Sequence, residues 1–315
     1  MPQATRVLAL SGGIGGAKLA LGLQGVLPPG ALSVVVNTGD DFEHLGLAIS
    51  PDVDTTLYTL AGLAHPELGW GRADETWGFM AALEQLGGET WFRLGDKDLA
   101  LHIERTRRLA AGETPSAIVA AFAQRLGLDT HVLPMSDERV RTLVETRDGT
   151  LAFQHYFVRE RCAPEVTGLH YDGAAEAHPA AGALGLLERP ELELIVICPS
   201  NPYLSIEPIL ALRGWRTALS RRRVPLLAVS PLIGGQAVKG PTAKIMRELQ
   251  LEVSALTIAR HYGALLDGFV LDRADAALAP RLGVPVHLAQ TLMRTLAQKQ
   301  SLAREVLAFG ASLRR

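Results

Sequence analysis

The sequence predicts an α/β protein: a doubly wound, Rossmann-like, mostly parallel sheet that carries a small antiparallel β insert. Three observations lead there. Short apolar runs of strand length, such as Arg6–Leu10, Leu32–Val36, Leu192–Cys198 and Pro225–Val229, alternate with longer stretches of helical apolar spacing. The first run passes directly into a glycine-rich turn, Ser11-Gly12-Gly13-Ile14-Gly15-Gly16, which opens a helix. Around 140–171 the apolar period shortens to alternation, as in antiparallel strands. No repeat or low-complexity linker interrupts the 315 residues, so the expected organisation is a first core part at 1–139, an insert at 140–171 and a second core part at 172–315.

In chain order, a helix follows the glycine turn from Ala17 to Val26, and Pro28-Pro29-Gly30 breaks it before the valine-rich strand Leu32–Val36. That strand runs into Asn37-Thr38-Gly39-Asp40-Asp41, and a second polar turn follows at Ser50-Pro51-Asp52-Val53-Asp54. Helices are expected at 55–64 and 75–87, with a loop at Gly69–Arg72 between them. Trp91–Asp98 opens a highly charged helix running through Arg108, and Glu113–Gly127 is amphipathic. Val132-Leu133 leads to the turn Pro134-Met135-Ser136-Asp137. Arg147-Asp148-Gly149 joins the hairpin strands Arg141–Thr146 and Thr150–Val158, with Glu165–His170 as a third extended piece. A helix near 174–188 precedes strand Leu192–Cys198, which ends at Pro199-Ser200-Asn201-Pro202. Pro225–Val229 ends at Ser230-Pro231-Leu232-Ile233-Gly234-Gly235, and Gly268–Leu271 and Val284–His287 are short strands before a final helix at 288–308.

A hydrophobic content of 48% with 20% charged residues suits a chain with a large core. The formal net charge of -2 gives no field for nucleic acid, and Arg221-Arg222-Arg223 is too short a run to alter that. No apolar run is long enough to span a membrane and no basic leader with a cleavage site opens the chain, so the expectation is a cytoplasmic protein with neither nucleic-acid nor membrane partners. Cys162 and Cys198 lack the spacing of a zinc site and read as reduced thiols. There is no close H-x-x-x-H pair and no G-x-S-x-G elbow, which argues against a zinc hydrolase or an α/β-hydrolase.

Parallel strands joined by helices present their C-terminal ends on one edge, where ligands of open sheets collect. A strand, a glycine turn and a helix start make an anion site, so Ser11, Gly12, Gly13, Gly15, Gly16 and Lys18 are expected to face phosphate. Their spacing completes neither G-x-G-x-x-G nor G-x-x-x-x-G-K-[ST]. Asp40, Asp41, Asp52 and Asp54 lie at neighbouring strand ends, and carboxylates there suit magnesium shared with phosphate oxygens; Asp41 and Asp52 equally suit turn caps. Arg93, Lys97, Lys18 and Lys239 are candidate cationic clamps, although Lys97 stands between Asp96 and Asp98 and equally suits a surface ion pair. Ser200 and Asn201, and likewise Ser136 and Asp137, can meet a base edge or a phosphate, and are also common turn formers.

Seven blocks in order carry a resemblance that covers nearly the whole chain: Ser-Gly-Gly-Ile-Gly-Gly-Ala-Lys at 11–18, Asn-Thr-Gly-Asp-Asp at 37–41, Ser-Pro-Asp-Val-Asp-Thr at 50–55, Leu-Gly-Asp-Lys-Asp-Leu-Ala at 94–100, Pro-Met-Ser-Asp-Glu-Arg at 134–139, Pro-Ser-Asn-Pro at 199–202 and Ser-Pro-Leu-Ile-Gly-Gly at 230–235. The chain resembles the 2-phospho-L-lactate transferase family of coenzyme F420 biosynthesis. The resemblance implies transfer of a three-carbon phospho-acid from its guanylylated donor to the ribityl hydroxyl of the deazaflavin FO, with release of GMP, a magnesium requirement and a homodimer. It further implies Asp40, Asp54 and Arg93 as catalytic residues, magnesium on Asp40 and Asp54, FO contacts from Asp54 and Arg93, and the nucleotide diphosphate near 11–18 and 199–202. Lys97 stands where some relatives have Arg, losing the bidentate fork, and His102 matches a family histidine with no evident physical role. The acid itself, phospholactate, phosphoenolpyruvate or phosphoglycerate, is left open. Two other readings stand beside this one: a non-catalytic nucleotide- or flavin-binding sensor, and a dinucleotide-dependent oxidoreductase using Asp40 as the acid roughly 20 residues past the glycines.

Overall fold

A computed structural model describes residues 6–238 and 240–314. Its strands in chain order are β1 (Val7–Ser11), β2 (Leu32–Val36), β3 (Phe42–His44), β4 (Leu47–Ile49), β5 (His131–Pro134), β6 (Arg141–Thr146) and β7 (Gly149–Ala152). They continue with β8 (Val166–Asp172), β9 (Leu194–Ile197), β10 (Leu226–Val229), β11 (Leu232–Ile233), β12 (Gln236–Ala237), β13 (Gly268–Asp272) and β14 (Val286–Ala289). Seven of them form the central sheet in the order β14-β13-β10-β9-β1-β2-β5, with every neighbouring pair parallel. The first half of the chain builds outward from β1 in one direction and the second half builds outward from β9 in the other. The strand order therefore reverses between β1 and β9, and the loops leaving these two strands diverge and open a crevice.

Both faces of the sheet are covered, which is why its strands read as continuous apolar runs rather than as alternation. Leu8 and Leu10 of β1 face one core with Ile195, Trp215 and Phe269, while Val7 and Ala9 face the other with Leu19, Leu57 and Val306. The expected α/β class and parallel sheet are what the structure has. The first five helices are α1 (Gly13–Gln24), α2 (Pro51–Leu60), α3 (Gly78–Gln85), α4 (Asp96–Ala110) and α5 (Pro115–Arg125). No helix among the described residues is long and apolar enough to cross a membrane.

Several boundaries differ from the sequence reading. α1 starts at Gly13, not Ala17, so the glycines form its first turn instead of a separate loop. α2 starts at Pro51, whose fixed φ suits the first helical position, and the expected turn at 50–54 is that helix's first turn, carrying Asp52 and Asp54. The hairpin strand expected through Val158 stops at Ala152. Phe153 and Tyr156 both bury against Val166, Leu204 and Ile245, and a spacing of three is helical, so the chain coils into a π-type turn at His155–Arg159. Only Leu184–Glu188 of the expected 174–188 helix is helical, since Pro179 and Gly182 interrupt it. The last helix runs Leu296–Ser312, fixed at its start by a capping box between Thr295 and Gln298. Two hairpins escaped the sequence reading, β3–β4 and β11–β12; Leu45-Gly46 (φ 53 and 73) and Gly234-Gly235 (φ 59 and 69) supply the left-handed pairs such turns need.

Candidate functional site

At the crevice lies a cavity of about 700 Å³, lined from both halves of the chain. Gly12, Gly13, Gly15 and Lys18 contribute one wall, and Pro199, Ser200 and Asn201, at the end of β9, stand opposite. α1 has no side-chain cap at Gly12, whose N–H donates to Ser200 Oγ at 3.1 Å. The glycines are needed for this approach. A Cβ on Gly15 would strike the Pro199 carbonyl oxygen, and one on Gly16 would strike Ser11 Oγ and Ser200 Oγ. Gly13 has φ +63, where a side chain is strained. Ser11 and Gly16 therefore sit behind the cavity wall: both are buried, and neither lines it.

Three carboxylates, Asp40, Asp52 and Asp54, line the cavity together with the glycine turn. Asn37 is buried beside them, and its Nδ2 donates to Asp40 Oδ1 at 3.0 Å and to Asp52 Oδ2 at 2.9 Å, so one amide ties two acids. Burial pushes the Asp40 carboxyl well above its ordinary range, and the neighbouring Asp52 adds to this. Burial likewise raises Asp52 to about 6, against hydrogen bonds from Asn37 and the Gly13 N–H. Asp52 thus stands at the helix start where an anion is expected. Asp41 does not line the cavity and accepts from Ser50 Oγ at 2.7 Å; burial raises it to about 7.

Asp54 lines the cavity and is held differently. Arg105, buried in α4, donates to both of its oxygens, from one Nη at 3.1 Å and from the other in a shorter bond, while also reaching the Ala48 carbonyl at 3.3 Å. Burial raises the Asp54 carboxyl and Arg105 opposes it. His102, one turn before Arg105, lies with Nδ1 at 3.3 Å from an Arg105 Nη and Nε2 at 3.2 Å from Asp98 Oδ2, and Tyr58 Oη donates to Asp98 Oδ1 at 2.6 Å. The sequence reading missed Arg105, Tyr58 and Asp98. The spacing 98, 102, 105 marks one helix face, but the equally charged Arg107 and Arg108 nearby gave no sign of which arginine was buried.

Trp91, Phe92 and Arg93 line the far side of the cavity. Arg93 is not paired with Asp96; its guanidinium lies 4.0 Å from the centre of the Trp77 ring. Other expected site residues are elsewhere. Lys97 does not line the cavity, and its Nζ donates to the Asp74 carbonyl at 2.6 Å. Ser136 and Asp137 also fall outside its lining: Ser136 Oγ donates to the His178 carbonyl at 2.6 Å, and Asp137 accepts from the Ser116 N–H at 2.6 Å, securing the start of α5. Asn201 lines the cavity but spends its amide on structure, accepting from Tyr203 and Leu204 N–H at 2.9 and 3.0 Å and donating to Thr242 Oγ1 at 3.0 Å. Lys239 lies outside the described residues. Among the described residues no group of three or more His, Cys, Asp or Glu is arranged to hold a metal alone.

Residues 7–286 match the family described as 2-phospho-L-lactate transferase CofD. The phosphoenolpyruvate transferase of Kitasatospora aureofaciens is 40% identical over 319 residues, covering 98% of this chain and 99% of its own. The 2-phospho-L-lactate transferase of Methanosarcina acetivorans is 39% identical over 304 residues, covering 96% and 98%. In fold, the chain is similar to a UPF0052-family protein of Bacillus halodurans, with a TM-score of 0.64 over 97% of this chain and 99% of that one at 16% identity.

Proposed function

The chain belongs to the 2-phospho-L-lactate transferase CofD family and is a transferase; from that premise we propose that it works in coenzyme F420 biosynthesis, moving a three-carbon phospho-acid from a guanylylated diphosphate to the ribityl hydroxyl of the deazaflavin FO, with GMP as leaving group. The observation that carries this reading is the shared cavity. One space of about 700 Å³ brings together the uncapped start of α1, the paired acids Asp40 and Asp52, Asp54, and an aromatic and cationic wall at 91–93.

The α1 amides and the Lys18 ammonium bind and orient the donor diphosphate. Asp54, immobilised by Arg105, accepts a hydrogen bond from the attacking hydroxyl and aims it at phosphorus. Arg93 holds the acceptor ring, and Phe92 and Trp91 exclude water beside it. The donor set suits a hard divalent cation: the ligating atoms are carboxylate oxygens, and Asp52 stands at the Gly13 amide where a donor phosphate would otherwise meet a bare negative charge. Asp40 with Asp54 is the pair the family resemblance implies, and the common Asn37 donor favours Asp52 as a further ligand, because Asp54 already has both oxygens on Arg105. Magnesium bound there would neutralise the charge that develops on the phosphate oxygens and the leaving group.

Two acids are named for the relatives at 40% and 39% identity, and their products differ by two hydrogens. Incubating the protein with FO, magnesium and each guanylylated acid, then weighing the product, tests the proposal. Release of GMP that depends on FO, together with one favoured acid adduct, is expected. No GMP release with either donor would overturn it.

A further inference from the structure

The far wall of the cavity is built on two helix starts that cap one another. Neither α3 nor α4 has a cap from its own N-cap side chain. Glu75, shortly before α3, accepts from the Lys97 and Asp98 N–H groups of α4 at 2.8 Å each. Asp96, the first residue of α4, accepts from the Gly78 and Phe79 N–H groups of α3 at 3.0 Å each and from Thr76 Oγ1 at 2.5 Å. Two amides at the start of each helix are thus satisfied across the junction. Lys97 adds its bond to the Asp74 carbonyl, and Gly95 is needed because a Cβ there would strike the Glu75 side chain. Trp77 sits in the middle of this knot, half-buried against the cluster of Ile49, Met80 and Leu94. Arg93 lies over its ring at 4.0 Å; Arg93 lines the cavity and Trp77 does not. Asp96, the nearest carboxylate in sequence, has both oxygens on α3 and Thr76, so an ion pair is not what places Arg93.

We propose that Trp77 is a positioning residue for the acceptor: it holds the Arg93 guanidinium flat at the cavity wall, so that a planar aromatic acceptor stacks on the opposite face and completes a stack of ring, guanidinium and ring. The proposal rests on the reading of Arg93 as an acceptor contact. A guanidinium is weakly hydrated and stacks on π faces, and indole is its best aromatic partner. Fixing it beforehand removes the ordering cost that a long mobile side chain would otherwise impose on binding.

The test is titration of FO fluorescence against the full-length protein and its variants, with GDP affinity measured in parallel. Trp77→Leu should weaken FO binding by about tenfold, whereas Trp77→Phe should lose no more than about threefold. Trp77→Met, which keeps the bulk needed by the apolar cluster and removes the π face, should match Trp77→Leu and serves if that variant fails to fold. GDP affinity should stay within about twofold throughout, because the nucleotide side is untouched. In an Arg93→Lys background, Trp77→Met should cost little more, since its effect acts through the guanidinium. Additive losses in that double variant, or an equal fall in GDP affinity, would overturn the role of Trp77 alone. Failure of the wild-type protein to bind FO would overturn the acceptor reading and this proposal with it.

Discussion

At the scale of single residues, Asp54 is both a candidate catalytic group and the counter-ion of a buried arginine. Replacing it with Asn keeps the shape but leaves the Arg105 charge facing a neutral amide. Loss of one partner from a buried pair costs about 3–5 kcal/mol, and Asn retains one acceptor oxygen, so about 2–4 kcal/mol is expected from denaturant midpoints. Transfer should be abolished. The double variant Asp54→Asn/Arg105→Gln, neutral on both sides, should recover most of the stability and none of the activity. If Asp54→Asn is as stable as wild type, the Arg105 pair is not a structural anchor. Asp40 and Ser200 were legible in the sequence because polar residues directly after apolar strands mark the sheet edge, whereas Asp54 was expected on a polar turn and lines the cavity from the first turn of α2. Arg105 was not, since burial of a charge is decided by what packs over it; nor was Trp77, which reads in sequence as one more apolar residue. Ser136 and Asp137 show the converse case, a polar pair at a strand end of which Ser136 ties the His178 carbonyl and Asp137 fastens α5, and neither lines the cavity.

At the scale of elements, the start of α1 is defined by how closely it approaches the loop after β9. Gly13 and Gly15 differ in what they tolerate. Gly13 has a positive φ but meets only Asp52 Oδ1, at 3.6 Å from an added Cβ, so Gly13→Ala should cost about 1–2 kcal/mol of backbone strain. Gly15→Ala drives a methyl group into the Pro199 carbonyl, and either the helix or the loop must move. The expected cost is about 1–3 kcal/mol, with guanine-nucleotide affinity falling as well because the two walls proposed to hold the donor diphosphate separate. Chemical denaturation with GDP titration checks both. Unchanged nucleotide binding in a stable Gly15→Ala protein would mean the two walls do not meet around the nucleotide. The boundaries of α1 and α2 were misread for a related reason: glycine and proline usually mark loops, yet here each occupies the first turn of a helix whose packing or starting geometry requires it.

At the scale of the whole molecule, the buried acids set how stability responds to pH. Asp41 is raised to about 7, Asp52 to about 6 and Asp40 well above the ordinary 3.8, in each case chiefly by burial. Such groups hold protons more tightly folded than unfolded, so their contribution is fully present below pH 3.8 and is lost as pH rises toward 7. Asp98 and Glu207 are lowered, against the pull of burial, by partners that include His102 and His261, and they act the other way, losing stability in acid. In chelator the melting temperature should therefore peak on the acidic side of neutrality and decline toward pH 8. Added magnesium should raise it more at pH 8 than at pH 5, because metal and protons compete for the same oxygens. A melting temperature that climbs from pH 6 to 8 in chelator, or ignores magnesium at pH 8, would contradict this.

The strand order also has a temporal consequence. The Gly12 amide and its partner Ser200 hydroxyl are 188 positions apart in the chain, and β1 lies against β9 over nearly the same gap. β1 therefore leaves the ribosome before either neighbour; β2 follows soon after to match one edge, while the other stays bare for more than half of translation. An unmatched apolar edge is a template for pairing with other chains. The nascent protein is thus most exposed to aggregation in the interval before β9 emerges, and slowing synthesis across that interval should reduce soluble yield more than slowing it afterwards.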